Sequence, residues 1–163
     1  MKNLILIITI LTAATVYAQP YTAFQFDVNN LLSIRDNPRM VKQVNGLDFD
    51  IELGAREGNI AVFIFYGEFK RAFYRNYGVG LDYVFEPLTD VLISLGNRYH
   101  VVIRDEKYSY LGTTGSYLNP RGKISYDING ALAVELIANL TNRRDINKTI
   151  FEGGVGIKYN FKQ

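Results

Sequence analysis

Ten residues of the chain read Leu47-Asp48-Phe49-Asp50-Ile51-Glu52-Leu53-Gly54-Ala55-Arg56, with an apolar residue at every odd position and a charged residue or glycine at every even one. Successive side chains of a β-strand point to opposite faces, so one face of this segment is apolar and the other is charged. An amphipathic helix would instead repeat its apolar residues every three or four positions. The stretch is therefore predicted to be a β-strand between two different environments.

The same alternation recurs from Phe24 to Phe161, in about eight segments of roughly ten residues, the strand length of a small transmembrane barrel. In the third segment Phe63, Phe65 and Phe69 share the apolar face, and Glu68 lies on the other. Asn97 is the one polar residue on the apolar face of the fifth segment. The pattern predicts an all-β fold.

The connections between these segments alternate in length. Tight turns are predicted at Glu57-Gly58, at Glu86 to Asp90 and at Asn129-Gly130, the last being typical of a type I′ hairpin. Between them lie longer polar links at about residues 33–46, 70–76, 105–116 and 142–149. Eight strands joined in this way predict an antiparallel up-and-down β-barrel with both termini on the short-turn side.

Composition limits the possible classes of protein. The chain has 163 residues, of which 48% are hydrophobic, and a formal net charge of +2, which argues against a nucleic-acid binder. It contains no cysteine, so a disulfide framework and a thiolate metal site are excluded. The length suits one folded domain. Twelve Tyr and ten Phe are an unusually large aromatic content.

The N-terminus is predicted to be a Sec signal peptide over residues 1–18, followed by one barrel domain over residues 19–163. Lys2 precedes an apolar run from Leu4 to Leu11, and small residues at Val16 and Ala18 mark the cleavage site. The apolar run is shorter than the roughly 20 residues that a membrane-spanning helix needs. We therefore expect an exported mature chain.

Alternation does not reveal whether the apolar face meets lipid or lines a cavity. In a soluble lipocalin-like barrel it would surround a lipid ligand, and this alternative stays open. Lipid contact is favoured because the polar face carries both charges among glycines, and because Tyr and Phe recur near strand ends. The expected lumen charge network comprises Asp48, Asp50, Glu52, Arg56, Glu68, Asp82, Arg98, His100, Arg121, Lys123, Asp127, Glu135, Glu152 and Lys158.

The chain ends in the alternating run Gly153-Gly154-Val155-Gly156-Ile157-Lys158-Tyr159-Asn160-Phe161. With this run, the signal peptide and the alternating strands, it resembles the small eight-stranded outer-membrane barrels of Gram-negative bacteria, the OmpA-transmembrane-domain and OmpX-like group. The resemblance implies a transmembrane β-barrel in the cell outer membrane. It also implies that Tyr159 and Phe161 form the C-terminal signal for the barrel-assembly machinery, although Lys162 and Gln163 follow the aromatic residue.

Some barrels of this group modify lipid A, and the deacylases among them are known for a Ser two residues after a His. Here the only histidine is His100, and Val102 stands at that position, so no catalytic residue is predicted; Ser94 and Ser125 are unsupported nucleophile candidates. Arg56 shares the face of the nearest carboxylates, which favours paired charges over a metal site. We therefore predict no enzyme, no metal and no cofactor, and a lumen too narrow for a wide channel.

The long links carry more basic than acidic residues, whereas the charged residues of the short turns are Glu57, Glu86 and Asp90. A basic outer rim would meet lipopolysaccharide phosphates, where each Lys or Arg near an anionic membrane surface contributes on the order of 1 kcal/mol. The expected partners are outer-membrane lipid and lipopolysaccharide, with the chain as a monomer that binds no nucleic acid. The rim residues proposed to contact lipopolysaccharide are Arg71, Arg75, Arg143 and Arg144.

Overall fold

The computed structural model describes residues 18–28, 48–69, 74–104, 114–143 and 148–161. The predicted signal peptide up to residue 17 and most of the long links lie outside the described residues. The first strand begins at Gln19, directly after the predicted cleavage site. Among the described residues, no helix is long and apolar enough to cross a membrane.

Eight antiparallel strands form one closed barrel in sequence order, as the alternation predicts. Each strand pairs with the next, and the last pairs with the first from Tyr21↔Asn160 to Asp27↔Gly154. Both ends of the described chain therefore lie at the short-turn end. The strands are β1 (Gln19–Asp27), β2 (Asp48–Glu57), β3 (Ile60–Phe69), β4 (Tyr74–Leu88), β5 (Val91–Arg104), β6 (Thr114–Asp127), β7 (Leu132–Arg143) and β8 (Lys148–Asn160).

Several strands are longer than the sequence predicts, because pairing continues into the polar links. Backbone pairing extends β4 back to Tyr74, β6 back to Thr114 and β7 forward to Arg143, all within stretches predicted as links. At the other end, β4 continues to Leu88, with a register shift after Phe85. Polar composition alone does not end a strand whose backbone groups find partners.

The short turns also differ in detail from the prediction. The turn after β2 consists of Gly58 and Asn59, with Gly58 at a φ of 55°. The hairpin predicted as a two-residue Asn129-Gly130 turn is instead a loop over residues 128–131. The Asp127 carboxylate accepts hydrogen bonds from the backbone N–H groups of Asn129 (3.0 Å) and Gly130 (2.6 Å), which holds the wider loop.

The barrel has its large apolar side chains outside and its charges inside. Leu81, Leu95 and Leu136 are each more than half exposed, and similar residues line the outer face of every strand. Inside, Glu52 and Glu135 have no exposed surface at all. The lipocalin-like alternative requires the apolar face to surround a ligand cavity. In the structure this face points outward instead.

Aromatic rings fill the interior opposite glycines. Tyr21, Phe63 and Phe65 are buried there. A Cβ added to Gly80 would meet the Phe63 ring, and one added to Gly54 would meet the Tyr21 ring. Each ring thus occupies space that the neighbouring strand leaves by having no side chain, which lets a narrow barrel hold aromatic groups.

The polar residue Asn97 lies next to a β-bulge between β5 and β6. It stands opposite Pro120, which has no N–H, and the register shifts between Arg98 and His100. The Asn97 side-chain oxygen accepts the N–H of Asn119 (2.7 Å), and the Asn119 side chain donates to the carbonyl of Arg98 (2.8 Å). The two asparagines thus satisfy backbone groups that the bulge removes from the ladder.

Candidate functional site: the charged barrel interior

Glu52 lies at the centre of the interior, on β2. Its carboxylate accepts hydrogen bonds from the Tyr21 hydroxyl (2.8 Å) and the Gln25 amide (3.2 Å). Arg121 on β6 contacts both carboxylate oxygens, at 2.8 and 3.4 Å. Neither charged side chain reaches solvent. A buried charge is stable only when paired and hydrogen-bonded, and Glu52 meets both requirements.

Lys123 joins three carboxylates from three strands. Its Nζ lies 3.2 Å from Glu52, 3.6 Å from Asp82 and 3.5 Å from Glu135. Arg121 also contacts Asp82, at 3.2 Å. Because the five side chains of this cluster come from four strands, β2, β4, β6 and β7, the ion pairs tie opposite walls of the barrel together. They close the lumen at mid-height.

The interior rings lie against the buried cations. The Arg98 guanidinium is 3.8 Å from the centre of the Phe65 ring, and that of Arg121 is 4.2 Å from the centre of Phe63. Lys158 Nζ lies 4.4 Å from the centre of the Tyr21 ring. Cation–π contacts gain strength where water is excluded, so these rings compensate part of the desolvation of the cations.

Two smaller groups of charges flank the central cluster. Toward the long-loop end, Arg98 pairs with Asp50 at 2.6 Å, and Glu152 accepts a hydrogen bond from the Thr141 hydroxyl at 2.8 Å. Toward the short-turn end, Arg56 lies 3.5 Å from Glu86 at the mouth. This mouth holds a cavity of about 440 Å³, which Lys158 and Asp127 also line.

The structure brings most of the expected network together in the interior, with one correction. Glu68 faces outward, because it shares its face of β3 with the exposed Ile64 and Tyr66, while Phe63 and Phe65 point inward. It lies 4.0 Å from Arg75 on β4. The expected faces of β3 were therefore reversed. The side chain of Asp48 lies outside the described residues, while His100 is buried in the interior.

Of the four rim arginines, Arg75 is the one whose side chain is described. It lies on the outer face, 59% exposed, beside Glu68. Arg143 ends β7, but its side chain lies outside the described residues, as do Arg71 and Arg144 entirely. At the other end of the barrel, Tyr159 and Phe161 are exposed on the outer face, with ring centres 5.2 Å apart.

The lumen network expected from the sequence lacks several residues that the interior contains. Tyr21 and Gln25 hydrogen-bond to Glu52, and Ser125 donates to Glu135 at 3.1 Å. Phe63 and Phe65 were placed on the lipid face. The signal that could have found these rings is the run of glycines in neighbouring strands, since Gly78 and Gly80 stand opposite Phe65 and Phe63.

The structure does not bring the two serine candidates, Ser94 and Ser125, to His100. Val102, two positions later, is buried on the same inner face. Ser94 lies six positions along β5, about 20 Å away at the usual rise of a strand. Ser125 of β6 pairs with Leu92 of β5, which is still farther from His100 along β5 than Ser94 is. Within the described ranges, no three His, Cys, Asp or Glu side chains form a group that could hold a metal ion.

Comparison with known proteins identifies the fold. The outer membrane protein Ail of Yersinia pestis, solved in a phospholipid bilayer nanodisc, is 11% identical over 88% of this chain and 99% of its own, with a TM-score of 0.56. A protein from the de novo design of transmembrane β-barrels is 11% identical over 89% of this chain and 96% of its own, at 0.55. The designed barrel TMB2.3 is 9% identical over 90% and 96%, also at 0.55.

No protein-family model and no curated protein matches the sequence. At such low identities the likeness concerns the fold alone. The chain has the fold of an eight-stranded antiparallel transmembrane β-barrel.

Proposed function

We propose that this chain is an integral protein of the outer membrane of a Gram-negative bacterium, with a structural or surface-interaction role. The observation that carries the proposal is the reversed distribution of polarity, with apolar side chains on the outside and buried ion pairs inside. Soluble monomers rarely expose apolar patches larger than a few hundred Å². A continuous apolar band around a closed barrel is what acyl chains require.

Aromatic residues near both ends of the strands support the membrane orientation. Tyr66 and Tyr77 are cross-strand neighbours near the long-loop end, and both are exposed. Tyr83, Tyr126 and Tyr159 lie on the same outer face near the short turns. Two aromatic girdles at the membrane–water interfaces are typical of transmembrane barrels, with short turns in the periplasm and long loops outside the cell.

Export and assembly follow from the same proposal. A signal peptide cleaved after Ala18 would leave β1 intact, because that strand begins at Gln19. The exposed Tyr159 and Phe161 would present the last strand to the barrel-assembly machinery. Buried ion pairs fill the described interior at mid-height, so we infer a role for the surface loops rather than transport. We also propose that the barrel is a monomer.

Lipopolysaccharide is the partner that the outer rim favours. Arg75 stands on the outer face just beyond the tyrosine girdle, where we expect the lipid phosphates, and it is mostly exposed despite its neighbour Glu68. Arg71, Arg143 and Arg144 are close in sequence to the same end of the barrel. Positive charges at this height attract anionic headgroups.

Membrane integration is tested by fractionation and gel mobility. We expect the protein to stay in the membrane pellet after a carbonate wash and to migrate differently in gels before and after boiling. Recovery as a soluble, heat-insensitive species would contradict membrane integration. Lipid A mass spectra with and without expression test the enzyme alternative, and we expect them to be identical.

The lipopolysaccharide contact is tested by replacing Arg71, Arg75, Arg143 and Arg144 with Gln. We expect less lipopolysaccharide to co-purify with this variant. The matched variant with Lys at the four positions should co-purify with as much lipopolysaccharide as the unchanged protein, because the proposed contact depends on charge rather than on side-chain shape. Equal co-purification with all three proteins would contradict the contact without affecting the membrane assignment.

A further inference from the structure

A small polar cavity lies in the barrel at the long-loop end, above the closed centre. Its volume is about 40 Å³, room for a water-sized guest. Every polar side chain in its lining carries an oxygen acceptor. These residues are Gln25, Asp27, Asp50, Asn76, Asn139 and Glu152.

Two of these oxygens converge. Asp50 Oδ1 and Asn76 Oδ1 both occupy the space in which a Cβ of Gly67 would stand. The other oxygen of Asp50 already pairs with Arg98. Asn76 Oδ1 has no hydrogen-bond partner although it is buried. Two acceptors brought together in this way need a donor or a cation.

A third oxygen has the same deficiency. Asn139 is more than nine-tenths buried, and its Oδ1 has no hydrogen-bond partner. It stands on β7 opposite Glu152 of β8, so the two side chains enter the cavity from adjacent strands. A buried acceptor left without a partner costs about 1–3 kcal/mol. An occupant that accepts electron pairs from oxygen would remove this cost.

The charge around the cavity favours a cation. The carboxylates of Asp50 and Glu152 line it, and Arg98 pairs with Asp50. Burial makes an excess of negative charge costly unless it is neutralised. The described side chains therefore favour a positively charged guest.

We propose that this cavity binds one hard divalent cation of the calcium type. Asp50, Glu152, Asn76 and Asn139 supply carboxylate and amide oxygens from four strands, and water completes the six to eight ligands that Ca²⁺ prefers. Carboxylates alone do not form the site, which is why a pattern of acidic residues does not reveal it. The inference requires only the folded barrel, so it does not depend on the membrane role.

The test is calorimetric titration of the folded full-length protein with CaCl₂ in a nonionic detergent free of lipopolysaccharide. We expect saturable binding of one Ca²⁺ with a dissociation constant on the order of 10⁻⁴ to 10⁻³ M, the range of extracellular calcium modules. Glu152→Gln should weaken binding at least tenfold. Glu86→Gln, which removes a carboxylate from the opposite mouth, should leave it unchanged.

Heat-modifiable gel mobility shows whether each variant is folded. If Glu152→Gln does not fold, Asn139→Ala serves in its place, with the same tenfold weakening expected. An absence of saturable binding would overturn the proposal and leave the cavity to water. Binding that none of these substitutions weakens would overturn it too, because the ion would then lie elsewhere.

Discussion

Glu52 is the residue on which the interior depends most. Five hydrogen bonds from four side chains end on its two carboxylate oxygens, and none of its surface reaches solvent. Its neutral isostere would keep the shape but would remove the carboxylate that pairs with both Arg121 and Lys123. Removing one partner of a buried ion pair costs more than the pair contributes, because the remaining charge cannot be rehydrated.

We therefore expect Glu52→Gln to lower the free energy of unfolding by about 3–5 kcal/mol. Urea unfolding in detergent micelles, followed by tyrosine fluorescence, measures the change. Glu68→Gln is the matched control, since Glu68 makes an exposed pair with Arg75 that is worth about 0–1 kcal/mol. Equal losses for the two variants would contradict the assignment of Glu52 to the interior and Glu68 to the outer face.

Gly80 and Gly122 differ in what a side chain would meet. A Cβ at Gly80 would collide with the Phe63 ring, whereas one at Gly122 would come no closer than 3.6 Å to Leu95. We expect Gly80→Ala to cost about 1–3 kcal/mol of stability, as overpacking does, and Gly122→Ala to cost nothing. Urea unfolding in detergent micelles measures both changes in stability. Recovery of stability in the double variant Gly80→Ala, Phe63→Leu would identify the ring as the cause.

At the scale of the strand, an alternation of period two predicts the orientation of a strand only where its two faces differ in polarity. In β2 every even residue is charged or glycine, and the predicted faces are those of the structure. In β3 the stretch Phe63-Ile64-Phe65-Tyr66 is apolar on both faces, so one charge at Glu68 decided the orientation and decided it wrongly. The neighbouring strand held the missing information, because Gly78 and Gly80 leave room for rings only on the inside.

Strand ends were also less predictable than strand existence. A polar residue continues a strand when its backbone finds a partner, as at Tyr74 and Thr114. Asn97 looked like a defect in the apolar face, whereas its side chain completes the bulge opposite Pro120. The partners of the interior charges follow from strand register and barrel closure, which alternation within one strand does not contain.

The depth of each outer position along a strand should set the cost of a charge there. Leu81 stands at the middle of β4 and Leu88 at its short-turn end, and both are exposed. In phospholipid vesicles we expect Leu81→Arg to cost about 2–4 kcal/mol and Leu88→Arg about 0–1 kcal/mol. Urea unfolding from vesicles measures both. Equal costs at the two positions would show that the outer face does not lie in a bilayer.

At the scale of the whole molecule, the sequence predicted the architecture well because one pattern repeats in all eight strands. It predicted closure less directly, through the alternating lengths of the connections. The interior that results is filled by ion pairs and rings at mid-height. The cavities of about 440 and 40 Å³ therefore lie toward opposite mouths of the barrel, with the central cluster between them.

This filling predicts a barrel that does not conduct solutes. Vesicles that contain the folded protein should retain a trapped sugar-sized dye for as long as protein-free vesicles do, because an eight-stranded barrel leaves room for side chains alone. Dye release over time is the measurement, with a large-pore porin as the positive control. Rapid release would contradict the closed centre formed by Glu52, Arg121 and Lys123.

The seam between β1 and β8 brings together the most distant parts of the chain, with the Phe161 N–H donating to the carbonyl of Pro20 at 3.0 Å. Until β8 is present, β1 and β7 are both open edges that invite pairing with other chains. A nascent chain that lacks β8 is therefore expected to be prone to aggregation, and it must be kept apart from its copies until β8 has paired with β1. The same proximity of the ends makes the barrel suitable for circular permutation, with a short peptide joining Phe161 to Gln19 and new ends opened in a long loop.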